Sequence, residues 1–161
     1  MKKRILLLDV LPVMSGIGIR TAVLADQPAL FAIHETLFRD DISRIWGWDD
    51  RSQLENFHKE WNEVETLVIH HDGQLAGYIQ KAIYPDHFYV LNLAVVPAYQ
   101  SRGIGAHALA MLREEAMAQG KELRLSVFKI NPRALSFYLR HGFVVNEVTE
   151  TSTKLRWPGH P

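Results

Sequence analysis

The spacing of apolar and polar positions changes several times along the chain, and each change predicts a different element. The first part predicts a strand at residues 17–23 and a helix at residues 29–38. Asp26 is expected to cap this helix, with Pro28 in the first turn, because a side-chain acceptor and a proline are both favoured where a helix begins.

A second helix is predicted to begin at Asp49 or Asp50, again with a carboxylate as the N-cap, and to continue to about residue 62. Apolar and aromatic side chains recur there at i, i+3, i+4 and i+7, which is the period of a buried helix face. The predicted face consists of Leu54, Phe57, His58 and Trp61.

From Thr66 the pattern changes to that of strands. Residues 66–71 and 74–84 flank Asp72-Gly73, a two-residue turn whose glycine suits the positive φ of a tight hairpin. A turn at Pro85-Asp86 follows, and residues 88–96 complete a three-stranded meander.

The last third of the chain alternates helices and strands. A helix is predicted from about Gly103 to Gln119, with one apolar face formed by Ile104, Ala108, Met111 and Leu112. A strand at 122–128 precedes a helix that begins at Asn131-Pro132 and stops at Gly142. Two strands, at 143–149 and 153–157, complete the order β-α-α-β-β-β-α-β-α-β-β. This order predicts an α/β (α+β) fold, a mixed sheet with helices on its faces.

Composition narrows the classes of function. The chain has 161 residues, 47% of them hydrophobic, which is enough for one core, and its formal net charge is zero. A neutral chain has no global field for nucleic acid or an anionic membrane, so we expect neither as a partner. There is no cysteine, which excludes disulfides and thiolate chemistry and suits a cytoplasmic location. The eight histidines give no ligand set, so no metal is expected.

The first thirteen residues, MKKRILLLDVLPV, place three basic residues before an apolar run. Asp9 and Pro12 interrupt that run, no small-residue cleavage site follows, and a membrane span would need about 20 apolar residues. We interpret residues 1–13 as a dispensable leader, with Met14 as an alternative start, and residues 14–161 as a single domain.

The segment Tyr99-Gln-Ser-Arg-Gly-Ile-Gly105 joins a predicted strand to a predicted helix. The first amides of a helix have no partner within it and carry partial positive charge, so they can bind a phosphate. Gly103 and Gly105 would let the backbone approach closely, and Arg102 could add a charge-assisted contact. The pattern matches neither the P-loop nor the dinucleotide-binding glycine motif. On these residues alone, a sharp turn without a ligand is equally consistent.

Two segments together resemble the GNAT superfamily of N-acetyltransferases. The first is Leu93 to Gly105, where Gln100, Gly103 and Gly105 match the family pattern Arg/Gln-x-x-Gly-x-Gly/Ala after a strand. The second matches Asn-x-x-Ala-x-x-Phe-Tyr followed by Gly-Phe at Asn131, Ala134, Phe137, Tyr138, Gly142 and Phe143. The resemblance covers about residues 17–156 and implies a GNAT-like, mostly antiparallel sheet flanked by helices.

By this resemblance the ligand is acetyl-coenzyme A. Its diphosphate would be held by the backbone amides of Arg102, Gly103, Gly105 and Ala106, with Gln100 and Ser101 at the entrance. Leu93, Ala94 and Val95 would pair their backbone with the pantetheine arm, which Asn131 would also contact. The resemblance further implies that Tyr138 is the general acid that protonates the departing thiolate.

The amine acceptor and the general base are less well defined by the sequence. Residues 88–94 lack the acidic residue that many family members place there, and Glu35, Asp40, Asp41 and His87 are only candidates, so no base is assigned. The segment 37–50 contains four aspartates with Trp46 and Trp48, which could line an entrance for a cationic amine or could be core anchors and helix caps. A small amine and a peptide amino group both stay open, as does a homodimer.

Three functions therefore remain in view. The first is an acetyl-coenzyme A-dependent N-acetyltransferase, favoured by Tyr138. The second is a non-catalytic acyl-coenzyme A sensor or interaction module of the same fold, which the missing strand carboxylate leaves open. The third is a structural α/β domain without a cofactor.

Overall fold

Seven strands and four helices alternate in the predicted order, and the mixed fold class is confirmed. The computed structural model describes residues 16–159; the predicted leader and Met14 lie outside this range. The elements are, in chain order, β1 Ile17–Thr21, α1 Gln27–Ile45, α2 Asp50–Glu63, β2 Glu65–His71, β3 Gln74–Ile83, β4 His87–Val95, α3 Ile104–Ala118, β5 Glu122–Phe128, α4 Pro132–Arg140, β6 Val144–Val148 and β7 Ser152–Trp157. Two short 3-10 turns, at Leu24–Asp26 and Pro97–Tyr99, lie between them.

The strands form one sheet in the order β1-β2-β3-β4-β5-β7-β6. Every neighbouring pair is antiparallel except β4 and β5, which are parallel. That parallel pairing covers only His87–Tyr89 against Glu122–Arg124. From Val90 onward β4 pairs with β3 alone, and the register with β3 shifts by one residue there, at Leu91. The carboxyl half of β4 therefore has one edge free on the β5 side.

Apolar side chains on the two sheet faces form two separate cores. On one face, α3 buries Leu109 and Leu112 against strand residues that include Ile79 and Phe88. On the other face, α1 and α2 bury Leu30 and Phe57, among others, against the sheet. Removing a leucine of this size from water contributes about 1.5–3 kcal/mol, so these two layers fix the helices on the sheet.

Turns and caps mostly follow the sequence prediction. The hairpin turn has φ of +48° at Asp72 and +78° at Gly73. Asp49 caps α2 by accepting a hydrogen bond from the Ser52 N–H at 2.8 Å. The predicted buried face of α3 is also confirmed, since all four of its residues are buried.

Three details of the first two helices were predicted wrongly. Helix α1 ends at Ile45 rather than at Phe38, because Ile42 packs inward and continues the apolar face beyond the polar pair at residues 40–41. Asp26 makes no side-chain cap to α1; its carboxylate instead accepts from the Val23 N–H and from Arg20. In α2 only part of the predicted face is buried, since Leu54 and His58 are exposed.

Candidate active site

A cavity of about 590 Å³ lies where β4 leaves β5. Its walls come from the end of β4, the loop before α3, the first turn of α3 and one side of α4, with Leu37 and Phe38 of α1 completing it. Residues from both faces of the sheet thus contribute to one space, whose size is in the range of ordinary small-molecule sites.

Nearly all the residues that the sequence predicted for the site line this cavity. They are Leu93, Ala94, Val95, Gln100, Ser101, Gly103, Gly105, Ala106, Asn131 and Tyr138. Arg102 is not among the lining residues; its guanidinium lies over the Tyr99 ring, 5.5 Å from the ring centroid. The structure therefore brings together the two segments that carry the family resemblance, and it places the Arg102 side chain to one side of them.

The loop before α3 has an unusual backbone. Ser101 has φ of +61° and Gly103 has φ of +79°, so two left-handed residues flank Arg102. Glycine adopts this conformation freely, whereas serine pays a steric penalty. A Cβ at Gly103 would meet no atom within 4 Å, whereas one at Gly105 would lie 3.4 Å from Cζ of Phe137. The backbone angle therefore favours glycine at position 103, whereas at position 105 the contact with Phe137 limits the side chain to a small one.

The backbone amides of this loop have no protein partner. Within residues 16–159, none of the N–H groups from Ser101 to Ala106 donates a hydrogen bond; the first donor of α3 is the His107 N–H, which bonds to the Gly103 carbonyl at 3.0 Å. Unpartnered amides at a helix start carry the positive end of the helix dipole. Such a set of donors is suited to the oxygens of a phosphate or diphosphate.

The charged side chains around the cavity have one sign. Arg133 and Arg140 line it, and among its lining residues in the described chain there is no aspartate or glutamate. His141 also lines it, and burial, with Arg113 and Arg140 nearby, lowers the pKa of this imidazole. A chain of zero net charge thus has a locally cationic cavity, which favours an anionic ligand.

Gln100 holds the loop to the strand. Its side-chain amide donates to the Val95 carbonyl at 2.9 Å, and its carbonyl oxygen accepts from Arg133 at 3.4 Å. Arg133 also donates to Ser101 Oγ at 3.1 Å. These bonds connect β4, the loop and α4 around the cavity entrance.

Arg133, Arg140 and Phe137 are cavity residues that the sequence prediction missed. One signal pointed to Arg133, which lies in the first turn of α4. A cation at the N-terminal end of a helix is repelled by the helix dipole, so an arginine at this position indicates a role other than stabilising the helix.

Tyr138 is held rigidly at the cavity wall. Its ring packs edge-on against Phe137 and Phe143, with centroids 5.1 and 5.3 Å away, and only 9% of the residue is exposed. Burial raises the pKa of the phenol well above its usual range. No hydrogen bond to the hydroxyl forms within the described part of the chain. The phenol is therefore protonated at neutral pH and unengaged.

Asn131 begins the same helix. Its side-chain oxygen accepts from the Ala134 N–H at 3.1 Å, so it caps α4 as predicted. That bond uses the oxygen and leaves the side-chain NH₂ available to a ligand in the cavity it lines.

The aromatic and acidic residues between α1 and α2 are mostly structural. The Trp48 indole donates to Asp50 at 2.7 Å and packs against His34, while Asp49 caps α2. Trp46 differs: it is 64% exposed and meets Phe128 edge-on at 5.7 Å. Of the two alternatives for this segment, capping and packing therefore describe Trp48, Asp49 and Asp50, whereas the Trp46 indole is exposed.

The candidate bases lie away from the cavity lining. Glu35 is 3.8 Å from Arg39, and His87 stacks on Tyr84 at the β3–β4 turn, the opposite end of β4 from the cavity. Neither these two nor Asp40 and Asp41 line the cavity. Residues 16–159 contain no cluster of histidines and carboxylates that could hold a metal ion, and none of the helices described is long and apolar enough to cross a membrane.

Comparison with known proteins identifies the class to which this fold and cavity belong. The model of the acetyltransferase (GNAT) family matches residues 29–143, which is most of the chain and includes every predicted site residue. The chain therefore belongs to the GNAT family of acetyltransferases, and its enzyme class is that of the acyltransferases. No curated protein matches the sequence.

Solved structures share the fold at low sequence identity. The PaiA N-acetyltransferase of Thermoplasma acidophilum in complex with coenzyme A has a TM-score of 0.70 and 20% identity, covering 87% of this chain and 97% of that one. The ribosomal-protein-S18-alanine N-acetyltransferase of Escherichia coli has a TM-score of 0.68, 21% identity and coverage of 88% and 93%. The structure of yncA from Salmonella typhimurium with its cofactor acetyl-CoA has a TM-score of 0.62, 22% identity and coverage of 88% and 92%. At these identities the likeness establishes the fold.

Proposed function

We propose that this chain transfers the acetyl group of acetyl-coenzyme A to a primary amine by direct attack. One observation carries the proposal: the unpartnered amides from Ser101 to Ala106 belong to a loop and helix start that line a cavity with two arginines and no carboxylate. A diphosphate supplies the acceptors and the negative charge that this arrangement lacks. The coenzyme A in two of the similar structures gives the same ligand independent support.

The proposed site uses the chain from β4 to α4. The amides of Arg102, Gly103, Gly105 and Ala106 hold the diphosphate, and Gln100 and Ser101 lie at the entrance. Beyond Tyr89 the free edge of β4 presents backbone groups that can pair with the amides of the pantetheine arm, which needs no polar side chain on the strand. The NH₂ of Asn131 faces the same arm. When bound, the coenzyme supplies an activated thioester; the protein positions it.

Tyr138 is the general acid in this proposal. The neutral amine nitrogen forms a bond to the acyl carbon, the carbon–sulfur bond breaks, and the phenol proton goes to the departing sulfur. The nitrogen then loses its surplus proton, and a proton returns to the phenolate through water, which restores both the neutral amide and Tyr138. Burial keeps the pKa of Tyr138 high, so the proton is present throughout the neutral range.

The amine must be neutral when it attacks. Deprotonating a lysine-like amine of pKa ~10.4 at pH 7 costs roughly 4.6 kcal/mol, which is 3.4 pKa units at 1.36 kcal/mol each. No carboxylate lines the described cavity, so this proton goes to water leading to solvent rather than to a carboxylate. The acceptor is a small-molecule or peptide amine, and a cytoplasmic location is part of the proposal.

A second candidate is a non-catalytic acyl-coenzyme A sensor of the same fold. The observation in its favour is the lack of a carboxylate among the described lining residues, since enzymatic turnover still has to remove a proton from the amine.

Calorimetry with acetyl-coenzyme A, followed by an assay of thiol release over a panel of amines, separates the two. The panel covers polyamines, aminoglycosides, amino acids and peptides with free N-termini. Binding with turnover of at least one amine supports the enzyme. Binding with no turnover on any amine supports the sensor, and no binding rejects both.

A further inference from the structure

Arg133 occupies an electrostatically unfavourable position. It is the second residue of α4, where the positive end of the helix dipole repels a cation. Its guanidinium extends to Gln100 Oε1 and Ser101 Oγ, in front of the first turn of α3, which is a second positive helix end. Two helix dipoles and one side-chain charge of the same sign therefore meet at the cavity entrance.

The present partners of Arg133 do not balance this charge. Both are neutral oxygen atoms, and the bond to Gln100 is long at 3.4 Å. None of the ion pairs formed among residues 16–159 includes Arg133. By contrast, Arg20 has Asp26 at 2.8 Å and Arg51 has Glu55 at 2.9 Å. An anion placed among the loop amides would relieve the repulsion from all three positive groups at once.

We propose that Arg133, and not Arg102, supplies the side-chain positive charge that binds the diphosphate. This inference rests on the proposed function. Before binding, Arg133 holds Ser101 in its left-handed conformation and so keeps the loop amides directed into the cavity. On binding, the guanidinium exchanges its two neutral acceptors for phosphate oxygens. Arg102 comes from the loop itself but lies over Tyr99 outside the cavity lining, so its contribution is small.

Calorimetry on Arg133→Ala, Arg133→Lys and Arg102→Ala tests the assignment, with acetyl-coenzyme A and 3′-dephospho-coenzyme A as ligands. Arg51→Ala is the control for the loss of one positive charge, because Arg51 is on the exposed side of α2. We expect Arg133→Ala to weaken both ligands about ten- to hundredfold, which corresponds to about 1.4–2.8 kcal/mol. The affinity of Arg133→Lys should lie between those of Arg133→Ala and wild type, because lysine keeps the positive charge but cannot make the two parallel hydrogen bonds of a guanidinium. The loss in Arg102→Ala should be less than about threefold, on the order of the Arg51→Ala control.

Salt separates a direct charge contact from a purely structural role in the loop. Between about 0.05 M and about 0.5 M NaCl the Debye length falls severalfold. The difference in affinity for the two ligands between wild type and Arg133→Ala should therefore decrease as salt is added. A difference that does not change with salt would mean that Arg133 only shapes the loop, and would overturn the proposal.

Two further results would also overturn the proposal. One is an equal loss of affinity in Arg133→Ala and Arg102→Ala. The other is a loss of affinity for acetyl-coenzyme A in Arg133→Ala that is not seen with 3′-dephospho-coenzyme A, which would assign the contact to the 3′-phosphate. If wild type binds neither ligand, the proposed function fails and this inference fails with it. If wild type binds and the variants behave alike, only this inference fails.

Discussion

Gly105 in the first turn of α3 lies so close to Phe137 in α4 that a Cβ would touch the phenyl ring, and a side chain larger than a methyl group has little space on that side. A Cβ at Gly105 would lie 3.4 Å from Cζ of Phe137 and 3.8 Å from Cε2. Both residues line the cavity, so a side chain larger than a methyl group at position 105 must displace the Phe137 ring or extend into the cavity. This contact connects the glycine motif to the second family segment.

Gly105→Val should therefore weaken acetyl-coenzyme A binding by about tenfold or more, with an overpacking cost of about 1–3 kcal/mol shared between stability and binding. Isothermal titration gives the dissociation constant and thermal unfolding shows whether the fold is kept. Ala118→Val, at the exposed end of the same helix, is the control for a β-branched residue in α3. An unchanged dissociation constant in Gly105→Val would argue against a ligand at this helix start.

Tyr138→Phe should slow acetyl transfer by about 10²–10⁴-fold and leave cofactor affinity within about threefold, because only the proton donor is removed. Tyr84→Phe, an exposed tyrosine at the β3–β4 turn, is the matched control and should turn over like wild type. Steady-state rates and calorimetry together make the comparison. If Tyr138→Phe keeps full turnover, the acid is another group.

The raised pKa of Tyr138 also predicts how kcat behaves at alkaline pH. Burial raises the pKa of Tyr138, so the phenol keeps its proton as the pH rises through the usual phenol range near 10. The rate constant kcat should show no loss attributable to this group up to about pH 10. A decrease in kcat between about pH 8 and 9 that disappears in Tyr138→Phe would contradict the raised pKa.

The pair of Arg20 and Asp26 predicts a pH-dependent contribution to stability. Hydrogen bonds from Arg20 and from the Val23 N–H lower the pKa of Asp26 to about 2. A lowered pKa means that the unfolded chain takes up the proton first, so the contribution is complete above about pH 4 and is lost as the pH falls towards 2.

Asp26→Asn should accordingly lower the free energy of unfolding by about 1 kcal/mol or less at pH 7, since the pair is partly exposed. The deficit should shrink below about pH 4. Urea unfolding at several pH values measures it, with Asp40→Asn on an exposed part of α1 as the control. An Asp26→Asn deficit that stays constant down to pH 3 would mean that the carboxylate charge is not the source.

Local signals were sufficient for most of the fold. Asp72-Gly73, Asn131-Pro132 and Gly142 mark turns, caps and stops through conformational needs that are local to a few residues, and the structure has each of them in place. Helix α1 was predicted too short because its continuation depends on Ile42, a single apolar residue whose burial is not evident from the polar residues around it in the sequence. Asp26 stands at the predicted N-cap position of α1, but its carboxylate does not cap that helix because it accepts from Arg20 and from the Val23 N–H instead.

In the candidate site, too, some residues could be identified from local motifs, whereas others depend on contacts between distant parts of the chain. The glycines and Tyr138 are recognisable from motifs, and the cavity lining includes them. Arg133 could not be placed from the sequence, because its contact with Ser101 spans 32 positions and depends on how α4 packs beside the loop. The position of the Arg102 guanidinium over the Tyr99 ring likewise depends on the folded loop and could not be predicted from the sequence.

The central claim, that the amides from Ser101 to Ala106 bind the diphosphate of acetyl-coenzyme A, is tested most directly by ¹H–¹⁵N NMR. The protein is titrated with coenzyme A and, separately, with pantetheine, which lacks the diphosphate. We expect large, saturable shifts of the Arg102, Gly103, Gly105 and Ala106 amide signals with coenzyme A, and small shifts with pantetheine. Signals from these four amides that do not move while coenzyme A binds elsewhere, or a protein that does not respond to coenzyme A, would contradict it.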